Sequence, residues 1–333
     1  MRITRSLPLL VSCLSIATAP AGESPGQAAA TDKVGAEVVV GAERPGPGLW
    51  KVMKDGHVLW VLGTVSPLPK DMLWRSREVE HVLARAPELI EQESVGAHLG
   101  FFRTLCVLPS LLRARFNPDG ASLREVLPAD LYARWAALKH RYLDKDKNVE
   151  RFRPMLAAAV LYERALKSSG LSESSAVLDT VRRLARRHGV KVTSPLIELE
   201  VADPRGAIHD FMETPREAEV ACLAATLERI ETDLDRMRER AQAWAVGDID
   251  ALERLRSPDQ DTLCLEAFTS APRLHAKFVE LQDKARAAWM ASVDSALSRN
   301  PETLAVLPIS ELLSPDGRLS QLVARGYTVE TPR

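Results

Sequence analysis

Leu59-Trp60-Val61-Leu62-Gly63-Thr64-Val65-Ser66-Pro67-Leu68-Pro69 is the stretch on which the fold class turns. Its apolar opening reads as a buried strand, and Gly63 starts a turn that presents whatever follows it. Working backward, Leu49 to Met53 is another apolar run, split from His57 to Val65 by Lys54-Asp55-Gly56. Asp-Gly between two such runs predicts a hairpin. Working forward, Trp74 to Ala86 reads as a helix with Val79, Val82, Leu83 and Ala86 on one face. Glu88-Leu89-Ile90-Glu91-Gln92-Glu93 then returns as a short strand carrying acids. Strand, turn, helix, strand is the opening of an α/β sheet.

Beyond this opening the pattern turns helical from Phe101 to about Gly189. Ser122-Leu123-Arg124-Glu125 is a capping box, and Pro128 suits the first turn of the next helix. Gly170 ends a helix that starts at Pro154. Val177 to His188 is amphipathic, with Arg182, Arg183, Arg186 and Arg187 read as its solvated face. Val190 to Thr193 is a strand. Thr214-Pro215-Arg216-Glu217 predicts a helix start, with Thr214 as the cap and Pro215 at the first position. The seam Leu223, Leu227, Ile230, Leu234, Met237, Ala241 and Trp244 follows, and is expected to pack on its own domain rather than form a coiled coil. Asp283 to Ser298 is a last long helix, Glu302 to Ile309 a strand, Leu319 to Arg325 a closing helix and Tyr327 to Val329 a terminal strand. The architecture expected is mixed α/β: a central mixed β-sheet flanked by helices, with a large helical insertion over about 98–189. Leu62 to Pro67 and Leu307 to Leu312 echo each other as strand ends with a proline close by.

The 333 residues carry 44 basic and 45 acidic side chains. No excess of positive charge exists to neutralise phosphates, so nucleic acid is not the expected partner. Residues 1–21 resemble a signal peptide. Arg2 and Arg5 precede the apolar run Leu7 to Ala17, and Ala19-Pro20-Ala21 offers small residues for cleavage near Ala21. Lipid attachment at Cys13 is the alternative. The apolar run is shorter than the roughly 20 residues a bilayer span needs, and no later segment of the mature chain is long and apolar enough. Residues 22–48 read as a flexible mature N-terminus and 49–333 as the folded domain. The expected location is periplasmic or secreted. After the signal three cysteines remain, Cys106, Cys222 and Cys264. Three buried free thiols are the expectation; if one pair forms, it is Cys222–Cys264.

Taken in order, several strings resemble the TraB/GumN family, which includes the Tiki-type proteases. They are Leu49-Trp50-Lys51-Val52 with Leu59 to Thr64, Asn117-Pro118-Asp119-Gly120-Ala121-Ser122-Leu123, Leu131-Tyr132-Ala133-Arg134, Trp244 to Leu252, and Asp316-Gly317 through Gly326-Tyr327-Thr328-Val329. Met72 to Glu80 looks like the GumN branch, found near exopolysaccharide genes. The resemblance implies two Gly-x-x-His motifs and a glutamate on an early strand, together holding a divalent metal. Here the first motif reads Gly63-Thr64-Val65-Ser66 and the second Pro308-Ile309-Ser310-Glu311, so both histidines are replaced. The family's Arg-Asn pair is not matched either, since Arg299-Asn300 falls too late.

Four residues are therefore the candidate site: Ser66, Glu91, Glu93 and Glu311. Ser66 is a poor metal ligand when neutral and lacks the Gly-x-Ser-x-Gly elbow of a nucleophile. Glu91, Glu93 and Glu311 would make an oxygen-rich site suited to Mn²⁺, Mg²⁺ or Ca²⁺, while no cofactor at all is the first expectation. Glu91 and Glu93 should share a face if their segment is a strand. The remaining histidines, His57 among them, are scattered without HxH or HExxH spacing. Two functions follow. One is a catalytically degenerate binding or accessory module, linked to envelope polysaccharide production, whose partner is an envelope protein or a glycan and which forms a homodimer in one version. The other is a metal-dependent hydrolase with a rebuilt carboxylate site. The strand ends at Ser66 and Glu311 should meet in one cleft.

Overall fold

A computed structural model describes residues 46–332, apart from 99, 100, 145, 147, 174, 175, 201, 257–259 and 271. The signal segment expected over 1–21 lies outside the described residues. Ten strands are described in chain order: β1 (Leu49–Lys54), β2 (His57–Thr64), β3 (Leu68–Pro69), β4 (Glu88–Ile90), β5 (Ser94–His98), β6 (Leu171–Ser172), β7 (Lys191–Thr193), β8 (Leu196–Glu200), β9 (Glu302–Pro308) and β10 (Thr328–Glu330). Six of them form the central sheet in the order β10-β1-β2-β9-β4-β7.

The expected hairpin is present. Lys54 pairs with His57, and Asp55 and Gly56 between them both take positive φ, 52° and 82°. That is the backbone a two-residue turn needs to match strand twist, and Asp and Gly tolerate it. β2, β9, β4 and β7 run parallel, while β1 and β10 add antiparallel. The sheet is therefore mixed, and both of its faces are covered. Leu62, Leu89, Leu304 and Val306 point to helices Arg77–Leu83 and Ala176–Arg187 and to Ala241 and Trp244. Trp50, Val61, Ile90, Ala305 and Leu307 point to Trp289, Met290, Val293 and Ala296 of helix Pro272–Leu297. A separate core joins Leu123, Trp135, Leu161 and Leu171 to Cys222, Leu223, Leu227 and Ile230. The helical layer thus draws on segments before and after β7.

Several local expectations need correction. The acid-bearing segment is not one strand. β4 ends at Ile90, and pairing resumes at β5, which runs parallel to β8 as a two-stranded arm. The interruption faces Ser194-Pro195, the gap between β7 and β8, where proline has no N–H to give the ladder. The helix expected to start after Thr214 begins at Arg216. Pro215 occupies the cap position, and the Thr214 hydroxyl instead donates to the Phe211 carbonyl at 2.8 Å. The long apolar seam is divided at Asp233 into helices Arg216–Thr232 and Leu234–Ala245. Asp233 is buried there among Arg229, Arg236 and Arg240. The last long helix starts eleven residues early, at Pro272, since proline is favoured in a helix's first turn. His57, just after the hairpin turn, is half-buried, with its ring Nδ1 2.9 Å from the Asn300 carbonyl. Finally, Cys222 and Cys264 form a disulfide, so the expectation of free thiols fails for these two. Helices Arg216–Thr232 and Gln260–Phe268 pack together and bring the pair within reach.

Candidate functional site

All four parallel strands end at one edge of the sheet, the edge where α/β sheets take their ligands. Ser66 follows β2, Glu91 and Glu93 follow β4, Ser194 follows β7 and Glu311 follows β9. The echo between the two strand ends is a true adjacency: Gly63 pairs with Leu307 and Thr64 with Pro308. Gly63 is required by close packing. A Cβ there would lie 2.5 Å from Ile309 Cδ1 and 3.0 Å from Leu312 Cδ1. Its carbonyl accepts a 2.6 Å hydrogen bond from the Trp244 indole, which ties the Trp244 string to the first turn. Glycine, tryptophan and the short helix Ile309–Leu313 thus hold the two strand-end turns together.

The side chains nevertheless go to different partners. Ser66 is exposed and lines a cavity of about 150 Å³ with Thr64, Gln92, Glu173 and Val177. Glu91 is buried and receives two hydrogen bonds from Arg182, at 2.6 and 2.8 Å, and one from the Ser194 hydroxyl. Burial pushes its pKa up; the Arg182 and Ser194 hydrogen bonds and the Arg182 charge outweigh this and hold the carboxyl below its ordinary range. Arg182, read from the sequence as part of a solvated face, is therefore a partner of the acidic segment. Glu93 turns to another cation, Arg318, which donates to Glu93 Oε1. Because the strand ended at Ile90, the two acids do not share one partner as a strand face would suggest.

Arg318 also reaches Glu311: its Nη1 lies 2.8 Å from Glu311 Oε2, and its backbone N–H donates to the same oxygen at 3.3 Å. The guanidinium lies over the Trp289 ring, 5.8 Å from its centre, and the Arg318 side chain is only 3% exposed. Glu93 is 9% and Glu311 29% exposed. The charge left over from two carboxylates and one guanidinium therefore sits on the member open to water. Glu93 Oε2 and Arg318 Nε are buried without a hydrogen-bond partner among the described residues.

A divalent ion does not fit this donor set. Mg²⁺ and Ca²⁺ take six or more oxygen ligands. Here Glu91 is committed to Arg182 and Ser194, and Glu93 and Glu311 share the Arg318 guanidinium. A metal between Glu93 and Glu311 would lie beside that buried positive charge. Among the described residues no group of three His, Cys, Asp or Glu side chains is gathered for a metal.

The third acid of the segment, Glu88, is a structural anchor. It accepts from Lys191 at 2.8 Å, Thr193 at 2.6 Å, and Arg299 and Asn300 at 3.1 Å each. Burial raises its pKa, and these four hydrogen bonds overcome it, bringing the carboxyl down to about 2. Arg299-Asn300 therefore clamps the start of β9 to β4. A larger cavity, about 420 Å³, is lined by Trp60, Glu78, His81 and Arg85 and includes none of the four candidate residues.

Sequence reasoning missed Arg318, Arg182, Ser194 and Trp289. One signal was available for Arg318. It opens helix Arg318–Ala324, and a cation at a helix N-terminus opposes the dipole unless an acid faces it.

The fold and this edge define a mixed α/β domain whose two strand-end turns are packed into one unit. The sequence model of the TraB/PrgY/gumN family matches residues 48–331, and the chain belongs to that family. Comparison with curated proteins and with solved structures returns no match.

Proposed function

We propose that this chain is an exported, catalytically degenerate member of its family, a binding or accessory module that serves envelope polysaccharide production through an envelope protein or glycan. The observation that carries the reading is the Arg318 guanidinium between Glu93 and Glu311. In a metal-dependent hydrolase, those carboxylates would need to be free for the ion. Ser66, at the first histidine position, is exposed and offers only a hydroxyl. Export is supported by the N-terminal pattern and by the Cys222–Cys264 disulfide, which persists in oxidising compartments. Among the described residues no helix is long and apolar enough to cross a membrane. The test is a screen of peptide and glycan substrates with Mn²⁺, Mg²⁺ or Ca²⁺ added, together with metal analysis of the purified protein. No turnover and no stoichiometric metal are expected. Turnover that Glu311→Gln abolishes would overturn the reading in favour of a rebuilt hydrolase.

A further inference from the structure

We propose that the outward face of helix Phe101–Ala114 docks on an anionic lipid surface. The roll of this helix is fixed by its buried side chains. Val107 and Ala114, seven residues apart, are 6% and 2% exposed, and the helix packs on helix Pro204–Met212. Two turns of helix separate them, so they share one face. Leu108 and Leu112 turn away from that face, at 41% and 45% exposure, and Leu111, one turn from Val107 at the border of that face, is 55% exposed. Met212, at the end of the packing helix, is also exposed.

The charge pattern names the occupant. From Phe101 to Phe116 the chain holds Arg103, Arg113 and Arg115 and no acid. Arg113 and Arg115 are exposed, and the Arg115 guanidinium is seated over the Phe116 and Phe152 rings. Leucines flanked by charge of one sign suit a headgroup layer, with the apolar stripe sunk among acyl chains and arginines at the phosphates. A symmetric pairing of two copies through this face would bring like charges together, because the same patch meets itself. At 14 residues the helix is about 21 Å long, which suits lying on a bilayer and not crossing it. This inference does not depend on whether the strand-end edge retains chemistry.

The experiment is flotation of the purified full chain with vesicles of phosphatidylcholine alone and of phosphatidylcholine with phosphatidylglycerol. Binding is expected to the anionic vesicles only and should fall with added salt. Arg113→Ala should weaken it about fivefold, the effect of one arginine near an anionic surface. Leu108→Ser/Leu111→Ser/Leu112→Ser should weaken it at least tenfold with the unfolding temperature unchanged, since the three side chains are already exposed. Should the triple variant misfold, Leu111→Ser alone carries the comparison. No binding by the folded wild type, or equal binding by the variants, overturns the proposal. So does a wild-type dimer that the leucine variant splits without any vesicle binding, which would assign the face to a protein contact.

Discussion

Replacing Arg318 by methionine keeps most of the side chain's volume and removes its charge. The Glu93 carboxylate then stays enclosed with no cation, because Arg318 is the partner its Oε1 has and Oε2 is already without one. Breaking a buried ion pair by deleting one member costs about 3–5 kcal/mol. For a domain of this size each kcal/mol moves the melting temperature by about 2 °C, so a fall of about 6–10 °C is expected. Glu311→Gln should cost about 1 kcal/mol or less, since that carboxylate is 29% exposed and water can replace the arginine. Adding Glu93→Gln to Arg318→Met should recover about 1–3 kcal/mol, because a neutral amide leaves no unpaired charge. Calorimetry and urea midpoints on wild type, Arg318→Met, Glu93→Gln and the double variant supply this cycle. A loss below about 1 kcal/mol for Arg318→Met, with strict additivity to Glu93→Gln, would show that the pair is not energetically coupled.

Other expectations follow from the same structure. Gly63→Ala should destabilise by about 1–3 kcal/mol through overpacking against Ile309 and Leu312, read as a lower urea midpoint, and Ile309→Val should relieve part of it. The double change Cys222→Ala/Cys264→Ala opens a loop of 42 residues in sequence separation and should cost about 4 kcal/mol in the chain-entropy account; reducing agent should lower the wild-type midpoint and leave the variant's unchanged. The Glu88 carboxyl sits at about 2 in the folded chain against 4.5 ordinarily, so its contribution is complete above pH 4.5 and is lost as pH falls toward 2. Stability measured across that window should therefore decline less steeply in Glu88→Gln, and an equal slope would count against the anchor.

Much of the sheet was legible because its signals are local. Asp55-Gly56 sets the hairpin within four residues, and the apolar runs of β2 and β9 need no partner to be seen. Boundaries were lost where tertiary contacts overrule the local pattern. Asp233 breaks a seam that reads as continuous, and Pro195, between β7 and β8, faces the break in the acidic segment. The candidate residues lie at one edge of the sheet because strand ends are readable in sequence, and motif spacing puts Ser66 and Glu311 at two of them. Their partners were not readable. Arg182 lies 91 residues from Glu91, and Arg318 lies 225 residues from Glu93. An arginine in sequence does not announce whether it faces water or a carboxylate; only the packing of Trp289 and the strand ends decides it.

The most direct test of the account is a crystal structure grown with excess Mn²⁺ and phased for anomalous scattering. Arg318 should remain between Glu93 and Glu311 with no anomalous peak at their oxygens. A peak bridging the two carboxylates, with the guanidinium swung away, would contradict the claim that this chain supplies its own cation at that edge.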